Sequence, residues 1–156
     1  MDIVSPATRS RMMAGIRSSG TRPEIFVRKL LHAQGFRYRL KTKILNCYPD
    51  IVLPKYRVVI FVHGCFWHQH PGCKYATTPK THSEKWQYKF KENVQRDNRI
   101  EKTFLAAGWH VAVIWECWIK RKLDISWLYP WITSPTSNII SWPEANDRLP
   151  NNAGHD

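Results

Sequence analysis

The sequence predicts an α/β fold, a single domain in which helices flank a mixed central sheet. Its 156 residues are enough for one compact core but short of two full domains. Two stretches have the periodicity of amphipathic helices, and four shorter ones have the β-branched or alternating pattern of strands. Because only Pro54-Lys55-Tyr56 joins the second and third strand candidates, a length that suits a hairpin, the sheet is expected to contain antiparallel neighbours.

Both helices carry start and stop signals. The first is predicted over residues 21–34, with Glu24 in its first turn and a glycine after its end. The second and longest is predicted over residues 81–108, where Thr81 and Glu84 have capping-box spacing. A basic stripe flanks its apolar side and comprises Lys85, Lys89, Arg96 and Arg99. Two polar residues project toward the apolar side, where they either organise a site or bond to a neighbouring loop: Asn93 and Asp97.

The strand candidates and the composition divide the chain into three parts. The candidates are Phe36–Leu40, Asp50–Leu53, Arg57–Val62 and His110–Trp115. With the helices they give the order αβββαβ. We assign residues 1–20 to a basic N-terminal arm and residues 21–123 to the folded domain. Residues 124–156 form a Pro-rich C-terminal tail that we expect to be loosely ordered, with tryptophans that can dock on the body.

The charge of the chain indicates a polyanionic partner. Lys and Arg total 24 against 12 acidic residues, a net charge of +12, and residues 1–43 alone hold ten basic and two acidic side chains. Nucleic acid is the simplest such partner. No apolar run approaches the roughly 20 residues that span a bilayer, and no lipidation site or basic amphipathic helix favours lipid. The first residues lack the apolar core of a secretory signal, so we expect a reducing cytosol.

Cysteine and histidine residues cluster within nine positions. The cluster comprises Cys65, His68, His70 and Cys73, with glycine and proline between them to form turns. Zinc takes four thiolate or imidazole ligands in a tetrahedron, so the two cysteines, one of the two histidines and a fourth residue would form a structural site. Cys117, at the end of the last predicted strand, is the best candidate for the fourth ligand. Disulfides and scattered free thiols are the alternatives, and a reducing compartment disfavours disulfides.

A second group of polar residues is expected at one edge of the sheet. Asp50 begins a short strand and His63 follows the strand predicted to pair with it, so the hairpin would place them side by side. Mg²⁺ is commonly held by one or two carboxylates and by the phosphates of the substrate, which fits Asp50, with Glu24 reaching the ion through water. His63 and His68 are then candidates for general base or acid. The alternatives are a turn aspartate after Pro49 and a glutamate that only favours the helix dipole.

Several short motifs occur in an order that is more specific than any one of them. They are Ala7-Thr8-Arg9-Ser10, Pro49-Asp50, Phe61-Val62-His63-Gly64-Cys65-Phe66-Trp67-His68, Asn93-Val94-Gln95-Arg96-Asp97 and Trp115-Glu116-Cys117. This combination resembles the very short patch repair (Vsr) endonucleases, over roughly residues 7–120. The resemblance implies a restriction-endonuclease-like core with a structural zinc site, and makes residues 21–123 the endonuclease domain.

The resemblance also implies a reaction and a set of site residues. The enzyme would find T:G mismatches left by deamination of 5-methylcytosine and hydrolyse the phosphodiester 5′ of the mispaired thymine. By position, Asp50 and the main-chain carbonyl of Val62 would bind Mg²⁺. Glu24 and His63 would lie near the water bound to that ion, and His68 would act as general base or acid. The structural zinc would be bound by Cys65, His70, Cys73 and Cys117.

Contacts with DNA are implied in the same way. Phe66, Trp67 and Trp86 would form an aromatic wedge that opens the weakly stacked mismatch step, the alternative being that they are core aromatics. Met13 and Lys89 would approach the mismatch. A basic arm ordered by DNA would come from Arg9, Arg11 and Arg17.

The expected partners follow from this function. They are double-stranded DNA with a T:G mismatch, mismatch-repair proteins, and a DNA polymerase for resynthesis. We expect a monomer that works in the bacterial cytoplasm, at the nucleoid. Two rival functions remain open: a nuclease of the same core that nicks or cuts DNA without a mismatch, and a zinc-stabilised DNA-binding module without catalysis.

Overall fold

The computed structural model describes residues 20–144, which form one mixed sheet with helices on both sides. The helices are α1 (Arg22–Ala33), α2 (Ser83–Ala106), α3 (Cys117–Lys120) and α4 (Leu128–Thr133). The strands are β1 (Ile51–Leu53), β2 (Val58–His63), β3 (His110–Trp115) and β4 (Ile139–Trp142). The predicted α/β class is confirmed, as are both predicted helices. Within the described residues, no helix is long and apolar enough to cross a membrane.

The strands lie side by side in the order β1-β2-β3-β4. β1 is antiparallel to β2 because the 3₁₀ turn Pro54–Tyr56 reverses the chain and Arg57 then adopts a left-handed φ of 52°. α2 forms the crossover that makes β3 parallel to β2, with His63 opposite Trp115. The start of β1 and the ends of β2 and β3 therefore meet at one edge of the sheet.

Side chains that alternate along the strands build a core on each face of the sheet. On one face Ile60 and Ile114 pack with Leu31 of α1 and Ile132 of α4. On the other face the strands pack against Phe104 of α2 and against the loop that follows β2. Burying a large apolar side chain stabilises a fold by about 1.5–3 kcal/mol, so the two cores hold the edge of the sheet rigidly.

The C-terminal segment is more ordered than the sequence predicts. Residues 124–144 contain α4 and β4, and β4 extends the sheet by parallel pairing with β3. Pro130 does not prevent this, because it lies in the first turn of α4, where its missing N–H is not needed. The expected docking is confirmed, since Trp131 is buried and Trp127 and Trp142 pack against the same core. The expectation of loose order is therefore wrong for this stretch, and the rest of the tail lies outside the described residues.

The predicted strand Phe36–Leu40 is also wrong. Among the described residues it makes a single antiparallel bridge, between Arg39 and Val52, at the outer side of β1. Lys41 has a φ of 53°, a left-handed conformation that turns the chain away before a second bridge can form. From α1 to β3 the order of elements is therefore αββαβ rather than αβββαβ.

The capping box predicted for the long helix does not form. His82 is the N-cap, with a φ of 55°, and no side chain caps the helix. This left-handed residue separates Thr81 from the first turn, so its hydroxyl does not pair with the segment that contains Glu84. The helix ends at Ala106, two residues before Gly108, which has a φ of 84°.

Candidate active site and metal cluster

A cavity of about 680 Å³ opens at the edge of the sheet where β1 begins and β2 and β3 end. Asp50 and His63 reach it from the strand ends, as the hairpin predicts. His68 follows in the loop after β2, and Asp97 projects from the middle of α2. Glu116, directly after β3, lines the same wall. Acidic and imidazole groups that converge in one concave site are typical of a catalytic centre.

Asp50 is held by the backbone and by a second acid. Its Oδ2 accepts a hydrogen bond from the Val62 N–H at 2.7 Å, and its carboxyl group is hydrogen-bonded to that of Glu24. Burial, and then the contact with Glu24, raises the pKa of Asp50 to about 8. Glu24 is itself buried, where it binds the guanidinium of Arg28 and the N–H of Gly20. The two adjacent carboxyl groups form an acidic pair that a cation in the cavity would stabilise.

The two candidate histidines stack face to face. The ring centroids of His63 and His68 are 3.8 Å apart, and their planes differ by 3°. Asp97 Oδ2 lies 2.6 Å from His68 Nδ1, a contact that fixes the orientation of that ring. Burial, and then the neighbouring His68, lowers the pKa of His63 to about 3, so this ring stays neutral. A histidine oriented by a carboxylate is the arrangement expected of a general base.

These side chains also bring three potential metal-ligand atoms, from His63, His68 and Asp97, within 4.8 Å of one another. An imidazole nitrogen donates its lone pair in the plane of its ring. Since the two rings are parallel and stacked, both lone pairs cannot point at one ion at about 2.1 Å. The group therefore suits proton transfer better than metal binding.

A second cluster, next to the cavity, can hold a metal ion. It consists of Cys65, His70, Cys73 and Cys117, whose ligand atoms all lie within 4.8 Å of one another. His70 Nδ1 is 3.7 Å from Cys65 Sγ and 3.6 Å from Cys117 Sγ. The hydrogen bond with the Cys65 thiol lowers the pKa of Cys117 to about 4, which favours the thiolate, the form that binds metals. The structure thus brings together the four residues that the resemblance implies.

Trp115 connects this metal cluster to the cavity. Its ring stacks on His70, with centroids 4.3 Å apart and planes 9° apart, and it meets His63 nearly at a right angle at 5.2 Å. Its indole N–H donates to the Ser141 hydroxyl of β4 at 2.8 Å. The C-terminal strand therefore helps to position one ring that contacts both the metal cluster and a candidate catalytic histidine.

An aromatic cluster adjoins the cavity. Phe66 lies 5.0 Å from Trp67 and 5.5 Å from Trp86 of α2, measured between ring centroids, and all three residues are half-buried. Asn93 donates a hydrogen bond to the Trp67 carbonyl at 3.1 Å, and the Lys89 ammonium lies 5.7 Å from the centre of the Trp67 ring. These three aromatic side chains are neither fully buried nor fully exposed, and their exposed parts can stack on another ring.

Asp97 and Glu116 line the site but are not among the predicted catalytic residues, although Asp97 is expected either to organise a site or to bond to a neighbouring loop. Asp97 contacts His68, which lies 29 positions earlier in the sequence. The sequence indicates this contact only through the place of Asp97 on the apolar side of α2. Glu116 Oε1 accepts a hydrogen bond from the Cys65 N–H at 3.3 Å, a contact with no signal in the sequence. Four predicted DNA contacts lie outside the described residues: Met13, Arg9, Arg11 and Arg17.

Comparison with known proteins shows which protein family this site belongs to. The family model of the DNA mismatch endonuclease Vsr matches residues 1–74. The type II nicking enzyme V.XorIIP of Xanthomonas oryzae pv. oryzae is 49% identical over 116 residues, which cover 74% of this chain and 85% of that protein. The chain belongs to the Vsr family. A further Vsr relative is the DNA mismatch endonuclease Vsr of Escherichia coli strain K12, 40% identical over 121 residues that cover 78% of this chain and 77% of that protein.

A solved structure shares the fold of this Vsr-family chain. The catalytic domain of the homing endonuclease I-Bth0305I superposes with a TM-score of 0.52 at 18% identity, and the match covers 76% of this chain and 100% of that one. The predicted restriction-endonuclease-like core is thereby confirmed. Family and fold together make this protein a DNA endonuclease, a hydrolase that acts on phosphodiester bonds.

The contact between His68 and Asp97 leads to a first prediction. We expect Asp97→Asn to lower the single-turnover nicking rate by about 10²–10⁴-fold, because the amide cannot stabilise a protonated His68. Affinity for the same duplex should be unchanged, since asparagine keeps the shape of the side chain. Glu101→Gln, one turn further along α2, is the matched control, because the ion pair of His68 seen in residues 20–144 is with Asp97. A wild-type nicking rate in Asp97→Asn would remove this pair from the chemistry.

Proposed function

We propose that this chain is a strand-specific nicking endonuclease that recognises T:G mismatches produced by deamination of 5-methylcytosine and hydrolyses the phosphodiester 5′ of the mispaired thymine. The observation that carries the proposal is that Phe66 and Trp67 line the same cavity as Asp50 and His68. A surface that can open a base step and groups that can hydrolyse a phosphodiester therefore face the same stretch of duplex. Since the named relatives are bacterial, we place the reaction in the bacterial cytoplasm, where a DNA polymerase would complete the repair.

Mg²⁺ is the proposed cofactor of this reaction. Asp50 and the Val62 carbonyl would hold it, with Glu24 acting through water, because Mg²⁺ prefers one or two carboxylates and keeps several waters. Within residues 20–144 the two acids have one guanidinium partner, that of Arg28. A divalent cation would balance the negative charge that remains when both carboxyl groups are ionised. When bound, the ion would supply positive charge to the scissile phosphate and to the attacking water.

His68 is the proposed general base or acid. Its Nδ1 is engaged by Asp97, which leaves Nε2 as the nitrogen that can exchange a proton with water or with the leaving oxygen. The neutral ring of His63 stacks on it and keeps its orientation. His63 Nδ1 is buried without a hydrogen-bond partner in the described part of the chain, so the assigned role of this ring is to position His68.

Zn²⁺ is the proposed occupant of the metal cluster. In a tetrahedral site with Zn–S of about 2.3 Å and Zn–N of about 2.0 Å, the distance between a sulfur and a nitrogen ligand is about 3.5 Å. The distances of 3.7 and 3.6 Å from His70 Nδ1 to the sulfurs of Cys65 and Cys117 fit that geometry. Three cysteines and one histidine leave no open coordination position. The ion would therefore be structural, joining the loop after β2 to α3.

The aromatic cluster provides the proposed mismatch selectivity. A T:G pair is stacked less firmly than a matched pair, so the free-energy cost of unstacking the base step beside it is lower than at a matched pair. We expect Trp67→Ala to reduce the preference for nicking T:G over C:G duplexes about 10- to 100-fold, since stacking on one base is worth about 1–3 kcal/mol. Affinity for a matched duplex should change by less than about threefold. Tyr88→Ala removes an exposed aromatic of the same helix that lies outside the cluster, and serves as the control.

The test compares nicking rates and affinities on duplexes that differ only in one base pair, T:G, T:A or C:G. Equal losses of T:G and matched-duplex binding in Trp67→Ala would remove the wedge role. Equal nicking of all three duplexes by the wild type would make the protein a mismatch-independent nuclease. Binding without metal-dependent cleavage of any duplex would make it a DNA-binding module.

A further inference from the structure

Two lysines from distant segments meet over one tyrosine ring beside the metal cluster. The Lys120 ammonium lies 4.3 Å from the centre of the Tyr75 ring, and the Lys74 ammonium lies 5.2 Å from it. Tyr75 is half-buried and packs against the core that contains the metal cluster, while both lysines are exposed. Two positive charges therefore lie next to one tyrosine ring at a defined place on the surface.

The metal cluster explains why these lysines meet. Lys74 directly follows Cys73, and Lys120 lies at the end of the short helix that begins with Cys117. Because the ligand atoms of these two cysteines lie within 4.8 Å of each other, closing the cluster brings the lysines to the same ring. The cluster thus organises a basic surface as well as a loop.

No acid within residues 20–144 neutralises either lysine. The ion pairs in this part of the chain join Arg28 to Glu24 and His68 to Asp97. The face of a tyrosine ring attracts an ammonium group, but it carries no net charge. Two like charges beside one ring, with no acid to pair with them in the described residues, therefore favour an anion from outside the protein.

The lysine pair lies at the catalytic edge of the sheet. β2 and β3 are parallel with His63 opposite Trp115, so both strands end at this edge, and the helix that carries Lys120 follows β3 directly. The loop after β2 carries Phe66 and Trp67 of the aromatic cluster near its start and Lys74 further along. A duplex laid across the cavity would present backbone phosphates to both parts of this loop.

We propose that Lys74, Tyr75 and Lys120 form a contact for the phosphate backbone of duplex DNA, separate from the mismatch. This inference rests on the proposed function, since a duplex must lie across the cavity for its backbone to reach both lysines. Phosphate contacts position a duplex but do not read its sequence. The contact therefore raises the affinity for matched and mismatched duplexes alike.

The experiment measures the salt dependence of binding by the full chain, with Ca²⁺ in place of Mg²⁺ to prevent cleavage. Each phosphate contact contributes about 0.9 to the slope of log K against log salt concentration. We expect Lys74→Gln with Lys120→Gln to lower the magnitude of this slope by about 1.8 on both T:G and matched duplexes, and Lys120→Gln alone by about 0.9. The double arginine variant, which keeps both charges, should retain the wild-type slope.

The matched control is Lys55→Gln. Lys55 also lies over a tyrosine ring, 5.3 Å from the centre of Tyr56, but it precedes β2 and so sits at the opposite edge of the sheet. Six strand residues separate the two edges by about 17 Å. This variant should leave the slope unchanged.

Metal content and thermal midpoint are measured for every variant. If the double variant loses its metal, the slope of the single Lys120→Gln variant is used instead. An unchanged slope in a metal-loaded variant would overturn the proposal, as would a loss confined to the T:G duplex. Nicking of the T:G duplex by the wild type is assayed separately with Mg²⁺. If the wild type nicks the T:G duplex and the lysine variants keep the wild-type slope, the phosphate contact alone is overturned. If the variants have a lowered slope but the wild type shows no preference for T:G, the contact is supported and the proposed function is overturned.

Discussion

Asp50→Ala is expected to abolish nicking, with a rate at least about 10³-fold below that of the wild type, while binding to a T:G duplex persists. This corresponds to about 4 kcal/mol of lost transition-state stabilisation, in the range that a bound metal ion supplies. Asp50→Asn should have a similar effect, although its side-chain oxygen can still accept the hydrogen bond from Val62. Single-turnover nicking and duplex affinity, measured side by side, separate loss of chemistry from loss of binding.

Asp124→Asn is the control for this experiment. Asp124 is exposed and bonds only locally to Ser126 among the contacts seen in residues 20–144, so its substitution should leave nicking unchanged. Retained nicking in either Asp50 variant would remove Asp50 from the metal site.

Asp50→Asn should also alter the pH dependence of stability in Mg²⁺-free buffer. Burial and the contact with Glu24 raise the pKa of Asp50 to about 8, from about 3.9 in an unfolded chain. The folded state therefore holds this proton more tightly, so the wild type loses stability as pH rises from about 4 to about 8. Asparagine has no such proton, and the variant should gain stability relative to the wild type across that window in thermal denaturation.

Cys117→Ser is expected to lose both the bound metal and the folded protein. Structural zinc contributes about 10–16 kcal/mol in small zinc domains, which is comparable to the whole free energy of unfolding of a domain. Loss of one ligand would also release the loop that carries Phe66, Trp67 and His68. Metal analysis, expected to give about one zinc ion per wild-type chain, and circular dichroism check this result.

Cys47→Ser is the matched control for metal binding, because Cys47 is a half-buried free thiol outside the cluster. It should keep the full metal content and the wild-type thermal midpoint. A wild-type protein that is fully folded without metal would refute the structural role of the ion.

The sequence predicts the site best where local chain geometry decides it. The three-residue connection before β2 implies a hairpin, and the hairpin brings Asp50 to the end of that strand. The spacing of Cys65 and Cys73 likewise predicts a metal cluster, because the loop between them is short enough to converge. These predictions need only neighbouring residues.

Contacts between distant segments are what the sequence does not predict. The pairing of Asp97 with His68 depends on where α2 packs, and periodicity shows only which face the residue occupies. β4 escaped prediction because prolines and polar residues surround it, yet parallel pairing with β3 stabilises it. Tertiary packing overrides weak local preference in such segments.

Strand-resolved nicking with Mg²⁺ tests the central claim most directly. The substrates are duplexes that carry one T:G mismatch in randomised flanks, together with matched duplexes and with Asp50→Ala as the inactive control. The account predicts one cut, immediately 5′ of the mispaired thymine and on that strand alone, which is absent from matched duplexes. Equal cleavage of matched duplexes, or no Mg²⁺-dependent cut in any duplex, would contradict it.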